Sequence, residues 1–148
     1  MQTFAPYTCV TKIAKCLDYK RLGKQRVESW QIYCAINDLH YGWQNHPTVE
    51  MWRNYGFFLL EYGLAMCIEW DTRGYRDTMH ERFMKEISKI NSKGTILETP
   101  WWWGNYQFHA SHRSNLLRKD PEYYSRFGWI EPNDLPYFWP TRELEYVK

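Results

Sequence analysis

One basic segment near the start of the chain dominates the predicted fold: Leu17-Asp-Tyr-Lys-Arg-Leu-Gly-Lys-Gln-Arg-Val-Glu-Ser-Trp-Gln31. Asp18 is a favourable N-cap residue, so we predict a helix from Tyr19 to about Asn37. At 3.6 residues per turn, polar side chains fall on one narrow stripe of this helix and apolar side chains on the opposite face. The stripe consists of Arg21, Lys24, Gln25 and Glu28, with Gln31 at its edge.

Glu28 is the only acid on this polar stripe. A carboxylate held among cations and amides suits chemistry at an anionic sugar-phosphate. The same pattern also suits an ordinary solvated helix face, on which charged residues four positions apart form ion pairs. The spacing alone leaves both interpretations open.

The length and charge of the chain limit its class. Its 148 residues predict one domain, residues 1–148, with a core of its own. The net charge is only +2, but residues 1–26 contain six Lys and Arg residues against the single acid Asp18. This asymmetry indicates a local anion-binding face. Aromatic residues make up 19% of the chain, so some rings are expected at the surface as stacking platforms.

The cysteines and the apolar runs predict a cytoplasmic protein. The four cysteines show no CxxC pairing and follow no secretory signal, which is typical of reduced thiols. The most apolar run, residues 55–68, contains Glu61 and is flanked by Arg53 and Glu69. This run is therefore predicted to be a core helix, and no contact with a membrane is expected.

Hydrophobic periodicity predicts an all-α fold of about five helices with an aromatic-rich C-terminal loop. Pro47 is well placed to open the third helix. Residues 95–103 are predicted to be irregular, and residues 131–140 to form an ordered loop because three prolines restrict its backbone. The predicted helices cover residues 8–16, 19–37, 48–70, 77–91 and 107–119, with one more short turn at 122–127.

Two short motifs outside the basic segment are candidate ligand sites. Asn45 and His46 precede Pro47 at a helix start, where backbone N–H groups and an imidazole can meet a phosphate. A plain helix cap is the alternative interpretation. Residues 101–103 are three consecutive tryptophans that cannot all point inward, so Trp103 is a candidate to stack on a base. A role in the core or as a lid is the alternative.

A second polar helix face is predicted within residues 107–119. Two histidines three residues apart suggest a metal, but zinc sites normally need three or four protein ligands, and no cysteine or acid is suitably spaced. We therefore predict a face that binds phosphate or sugar, with no metal and no cofactor. The residues of this face are His109, His112, Arg113, Asn115, Arg118 and Lys119.

Taken together, these residues resemble the pyrimidine-dimer DNA glycosylase family (endonuclease V-like), particularly its small bacterial and phage branch. The resemblance spans nearly the whole chain, so it is more specific than a single short pattern. It is carried by Leu17-Asp18, Lys20-Arg21-Leu22-Gly23-Lys24-Gln25-Arg26-Val27-Glu28, Gly42-Trp43-Gln44-Asn45-His46-Pro47, Tyr62-Gly63-Leu64-Ala65-Met66-Cys67, residues 109–121 and Phe127-Gly128-Trp129.

This resemblance implies a compact all-α enzyme that flips a nucleotide from duplex DNA, cleaves its N-glycosidic bond and then nicks the abasic strand. It also implies two catalytic groups, the α-amine of the N-terminus and a glutamate on the first long helix, which here is Glu28. Arg21, Lys24 and Arg26 are expected to hold phosphates.

The second residue departs from the family pattern, because Gln2 stands where the characterised enzymes have Thr. A bulky second residue disfavours removal of the initiator methionine. We therefore expect Met1 to be retained and to supply the amine, if the chain makes a Schiff base at all.

Two other functions are compatible with the same residues. A hydrolase acting on a free nucleotide would use the Glu28 pocket without a broad DNA surface. A non-catalytic protein that sequesters a nucleotide would keep the cations and aromatic residues but tolerate loss of Glu28. The expected partner is thus DNA or a nucleotide.

Overall fold

A computed structural model describes residues 1–94 and 97–140, and all regular secondary structure in these two ranges is helical. Residues 95–96, which belong to the predicted irregular segment, lie outside the described residues, as do residues 141–148. The all-α prediction is confirmed, although the described ranges contain seven α-helices rather than about five. These are α1 (Val10–Cys16), α2 (Tyr19–Asn37), α3 (Pro47–Trp52), α4 (Gly56–Thr72), α5 (His80–Ser92), α6 (Tyr106–Lys119) and α7 (Pro121–Tyr124), followed by a 3-10 turn (Ser125–Phe127).

Helix α2 has the predicted bounds, and Asp18 is its N-cap. The Asp18 carboxylate accepts a hydrogen bond from the backbone N–H of Arg21 at 3.3 Å and another from the hydroxyl of Tyr124. Burial opposes ionisation of Asp18, but the hydrogen bonds from Tyr124 and Arg21 prevail and hold the pKa of this carboxyl below its usual value. One residue therefore caps α2 and ties it to α7.

The predicted helix over residues 48–70 is in fact two helices, α3 and α4. The chain turns at Asn54, which adopts a left-handed conformation with φ of 74°. Asparagine tolerates this conformation better than most residues, so it provides a break that an apolar pattern does not reveal. Pro47 opens α3 as predicted, and α4 is central because it packs against α1, α2 and α5.

Gly63 allows α4 to approach α2 and α5 closely. A Cβ atom at Gly63 would lie 2.7 Å from Ser29 Oγ of α2, and it would overlap the ring of Phe83 from α5. Ser29 and Phe83 are fully buried, so neither side chain can move into solvent. Only a glycine fits between these three helices without displacement of one of them.

We expect Gly63→Ala to lower the free energy of unfolding by about 1–3 kcal/mol, since an added methyl in a filled core forces side-chain or backbone shifts. This loss should exceed the gain from the better helix propensity of alanine. Urea unfolding monitored by circular dichroism measures the change. Gly42→Ala is the control, because nothing lies within 4 Å of a Cβ atom there. Equal stability of the two variants would contradict the described packing.

The C-terminal loop, residues 129–140, packs along α6 through backbone hydrogen bonds. The N–H of Phe138 donates to Ser111 Oγ at 3.1 Å, and the N–H of Leu135 donates to Ser114 Oγ at 3.0 Å. Asn115 Nδ2 donates to the carbonyl of Leu135 at 3.1 Å. The loop is thus fixed in position although it contains no helix.

All four cysteines are free thiols, and Cys16 and Cys67 are buried.

None of the helices in the described ranges has both the length and the apolar character needed to cross a bilayer.

Candidate active site

Residues 2–6, which we call the N-terminal segment, are buried although they form no helix. A buried backbone N–H or C=O group without a hydrogen-bond partner costs roughly 1–3 kcal/mol. Because an extended segment cannot supply its own partners, they must come from elsewhere in the protein. Side chains from α2, α4 and α6 supply most of them.

Gln25 of α2 and Tyr62 of α4 bind the first part of the N-terminal segment. Gln25 Nε2 donates to the carbonyl of Gln2 at 2.8 Å, and Gln25 Oε1 accepts from the N–H of Phe4 at 3.0 Å. The Tyr62 hydroxyl donates to the carbonyl of Phe4 at 2.7 Å and lies 2.6 Å from Gln25 Oε1. The Gln25 amide, which we predicted to bind substrate, is therefore occupied by the backbone of the protein itself.

His109 and His112 of α6 bind both backbone groups of Ala5. The Ala5 N–H donates to His112 Nδ1 at 3.1 Å, and His109 Nδ1 donates to the Ala5 carbonyl at 2.7 Å. His109 Nε2 accepts from the N–H of Gly104 at 2.9 Å, which assigns the His109 proton to Nδ1. Burial lowers the pKa of both imidazoles, and that of His112 falls to about 3, so both are neutral at physiological pH.

Arg113 and Trp103 hold the chain where it leaves the N-terminal segment. Arg113 donates from Nη1 to the carbonyl of Pro6 at 2.8 Å and from Nε to the Glu131 carboxylate at 2.7 Å. Trp103 Nε1 donates to the carbonyl of Thr8 at 2.9 Å. Both side chains, which we predicted to bind substrate, therefore form hydrogen bonds within the protein itself.

These contacts correct the expectation that α6 presents a solvent-facing site for phosphate or sugar. His109, His112 and Asn115 are buried and hydrogen-bonded to backbone groups, so they are not available to a phosphate. The physical reason is that α6 lies against two non-helical segments, the buried N-terminal segment and the C-terminal loop, whose backbone groups take its polar side chains as partners. His109, His112 and Asn115 consequently face inward together with Leu116, whereas Arg118 and Lys119 are exposed.

A cavity of about 660 Å³ lies beside α2, and the start of the chain forms part of its wall. Met1 and Glu28, the two residues predicted to be catalytic, both line it. Five residues predicted to bind substrate also line it: Arg21, Lys24, Gln25, His46 and Lys119.

The Glu28 carboxylate lies directly against the start of the chain. Glu28 Oε2 accepts from the backbone N–H of Gln2 at 3.2 Å and from Gln25 Nε2 at 3.3 Å. The carbonyl of Met1 is held by Thr48 Oγ1, which donates to it at 3.0 Å. If Met1 were removed, the nitrogen next to Glu28 would be the α-amine of the new N-terminus.

His46 caps α3 and also faces the cavity. Its Nδ1 accepts from the N–H of Thr48 at 3.0 Å, which is the helix-cap interpretation of this motif. Burial lowers the pKa of His46, the positive N-terminal amine lowers it further, and Glu28 opposes the shift. His46 is therefore electrostatically close to both candidate catalytic groups, whereas Asn45 is exposed and does not line the cavity.

Four cations, Lys20, Arg21, Lys24 and Lys119, line the cavity, and we call this group its cationic rim. Arg21 is also paired with Asp18, at 3.0 Å. Burial lowers the pKa of Lys119, and the positive charges of Arg21, Arg118 and Lys24 lower it further. Such mutual repulsion is relieved when an anion binds among the cations, so this rim suits phosphate groups.

Two aromatic residues of the C-terminal loop, Tyr137 and Trp139, form another part of the cavity wall. Their ring centroids are 5.6 Å apart, and the Trp139 ring lies 6.3 Å from that of His46. Burial raises the pKa of Tyr137 to about 12. Sequence reasoning missed both residues as site residues, although the aromatic content of residues 131–140 indicated that the loop packs against the protein.

Three other predicted substrate-binding residues lie outside this cavity. Arg26 forms an ion pair with Asp77 and does not line the cavity. Gln31 lines a neighbouring groove, and Arg118 is exposed and lies 3.4 Å from the carbonyl of Asn133. Within residues 1–94 and 97–140, no group of three or more potential metal ligands occurs.

The comparison with known families agrees with this geometry. The sequence model of the family described as pyrimidine dimer DNA glycosylase matches residues 1–82, more than half of the 148 residues. The chain belongs to the pyrimidine dimer DNA glycosylase family. The matched region includes Met1 and Glu28, whereas α6 and the C-terminal loop lie beyond it. No curated protein and no solved structure matches the chain.

The buried His112 predicts how stability depends on pH. Its pKa is about 3 in the folded protein and near the ordinary value of 6.5 when unfolded, so the unfolded chain binds more protons between these values. Stability from this group is complete above pH 6.5 and is lost as the pH falls below it, with a slope of up to about 1.4 kcal/mol per pH unit.

Urea unfolding between pH 7 and pH 5 measures this slope. His112→Asn is the comparison, because asparagine keeps an acceptor near the Ala5 N–H but does not titrate. We expect the variant to be less stable at pH 7 and to lose stability less steeply as the pH falls. The same slope in both proteins would show that His112 is not buried in its neutral form.

Proposed function

We propose that this protein is a DNA glycosylase that acts on damaged pyrimidines and then cleaves the strand at the abasic site. One observation carries the proposal: the start of the chain and Glu28 line a single cavity with a cationic rim. Family membership supports damaged DNA as the substrate.

The cavity suits a nucleotide that has left the DNA helix. Its volume of about 660 Å³ is within the range of about 300–1,000 Å³ typical of ligand pockets. A glycosylase needs an extrahelical nucleotide, because the sugar carbon C1′ cannot be reached inside the base stack. Tyr137 and Trp139 offer ring surfaces to a base, while the cations of the rim would contact phosphates.

The proposed nucleophile is the α-amine of Met1. The neutral amine attacks C1′ of the sugar while the bond from C1′ to the pyrimidine nitrogen breaks. The electron pair of that bond leaves with the base, which then takes up a proton, and the amine nitrogen loses one. The C1′–O4′ bond then breaks as the nitrogen lone pair forms the C1′=N bond, and O4′ takes up a proton, which leaves a protonated imine and an open sugar ring.

Glu28 has two proposed roles in this sequence. Its negative charge stabilises the positive charge that develops on the sugar as the base departs. Later, the carboxylate accepts a proton from C2′, and the electrons released expel the phosphate oxygen at C3′. This second step is the strand cleavage.

We expect Glu28→Gln to bind DNA normally but to lower turnover on a pyrimidine-dimer duplex by at least ~100-fold, the usual scale for loss of an acid–base group. Glutamine can still accept the hydrogen bond from the Gln2 N–H, so the fold should persist. Single-turnover assays of base release and strand nicking give the rate. Glu81→Gln is the control, because Glu81 is an exposed acid on α5 outside the cavity.

The outcomes of this experiment separate the proposed function from its alternatives. Near-normal turnover by Glu28→Gln would contradict the catalytic role of Glu28. If the wild-type protein leaves dimers intact but hydrolyses a free nucleotide, the nucleotide hydrolase is correct. A salt titration of DNA binding adds a second test, because several phosphate contacts give a steep dependence of affinity on salt.

The covalent step predicts a trapped adduct. Borohydride supplies a hydride that reduces the imine to a stable amine, which links the protein to the sugar. We expect the adduct to form on dimer-containing DNA and to map to the α-amine of Met1 by peptide mass spectrometry. Acetylation of the α-amine should abolish both trapping and strand nicking.

Mass spectrometry of the untreated protein serves as the control, since it shows whether Met1 is present. An adduct on Gln2 after removal of Met1 would move the nucleophile to the nitrogen that lies 3.2 Å from Glu28. Base release without any adduct would contradict amine catalysis and favour a water molecule activated by Glu28.

A further inference from the structure

A Schellman motif ends α4 and stacks two aromatic rings. Gly74 has φ of 92°, and its N–H donates to the carbonyl of Asp71 at 2.9 Å. The N–H of Tyr75 donates to the carbonyl of Trp70 at 3.2 Å. This motif returns the residue after the glycine to the last turn of the helix. As a result, the rings of Trp70 and Tyr75 are stacked, with centroids 4.3 Å apart.

Tyr19, the first residue of α2, adds a third ring to this stack. Its ring is stacked with that of Tyr75 at a centroid distance of 6.5 Å. Tyr19 is 53% exposed and Tyr75 is 42% exposed. Termination of α4 involves only residues 70–75, so helix capping does not explain the third ring or the exposure of both tyrosines.

A groove of about 450 Å³ runs from Tyr19 and Trp70 along α2 to Gln31. Lys20 and Lys24 line it, and neither lysine has an acidic partner within 4.0 Å in the described part of the chain. The two lysines and Glu28 also line the candidate active-site cavity. The groove therefore adjoins that cavity, and the same two lysines serve both.

Trp70 is held rigidly at the base of this groove. The guanidinium of Arg26 lies 4.4 Å from the centre of the Trp70 ring and is itself fixed by its ion pair with Asp77. Trp70 Nε1 donates to the carbonyl of Arg76 at 3.3 Å. A Cβ atom at Gly23 would lie 3.0 Å from Trp70 Cη2, so the Trp70 ring packs directly against the backbone of α2 at this glycine. Binding here would require little reordering of side chains.

We propose that the exposed end of this stack, the ring of Tyr19 supported by that of Tyr75, binds an unpaired base of single-stranded DNA, and that Lys20 and Lys24 bind the phosphates on either side of that base. Aromatic platforms beside a positively charged groove are a general way to hold a single strand without regard to its sequence. The choice of DNA rests on the proposed function. In that setting the groove holds the stretch of strand that opens next to the flipped nucleotide.

Binding of an undamaged, labelled 12-nucleotide oligothymidylate, measured by fluorescence anisotropy, tests the proposal without any turnover. We expect Tyr19→Leu to weaken binding by at least about fivefold, because it removes the stacking surface. Tyr75→Leu should also weaken binding, because it removes the ring that supports Tyr19. Leucine keeps an apolar contact with Trp70, so the end of α4 should remain intact. Lys20→Gln should lower the slope of log affinity against log salt by ~0.7, the value for one phosphate of a single strand.

Tyr106→Leu is the matched control. Tyr106 is also the first residue of a helix, α6, and is 67% exposed, but its ring contacts Arg113 and is not part of the stack. We expect this variant to bind the oligothymidylate like the wild-type protein. Circular dichroism of all variants verifies that each is folded.

Three results would overturn the proposal: no binding of the oligothymidylate by the wild-type protein, equal loss of affinity in Tyr106→Leu, or loss in Lys20→Gln alone. The last result would mean a site for polyanions without stacking. Tighter binding of an oligouridylate of equal length would overturn the choice of DNA. None of these results bears on dimer cleavage by Glu28, so the two proposals fail independently.

Discussion

The structure depends on one constraint, the burial of an extended N-terminal segment, residues 2–6, inside a helical protein. Helices satisfy their own backbone, but an extended segment among them does not. Gln25, Tyr62, His109 and His112 supply the missing hydrogen bonds from three different helices. The start of the chain is thereby fixed against Glu28, where the proposed chemistry takes place.

This constraint explains why the polar residues that contact the N-terminal segment are not free to bind a ligand. Removing one partner of a buried hydrogen bond leaves the other unsatisfied, which makes these positions sensitive to substitution. The histidines must also stay neutral, because protonation of His112 would place a second donor against the Ala5 N–H. The groups that position the N-terminus and the groups proposed to react with the substrate are therefore largely different residues.

Helix α6 supplies hydrogen-bond partners to non-helical backbone at both ends of the chain. Its histidines bind the N-terminal segment, and Ser111, Ser114 and Asn115 bind the C-terminal loop. The loop carries Tyr137 and Trp139 to the cavity, opposite the cations of α2. A chain with a net charge of only +2 thus gathers cations and aromatic rings at one opening, where proposed contacts with DNA need both.

The sequence by itself determined the bounds of α2, its Asp18 cap, and the common stripe of Arg21, Lys24 and Glu28, because helical periodicity and capping are local properties. It also identified the family. Only the tertiary structure decided which polar residues are occupied, as with His112 and Ala5, which are 107 positions apart. It likewise brought Trp139 to the cavity. Periodicity predicts which residues share a helix face. It does not predict which distant backbone group will form hydrogen bonds with the side chains on that face.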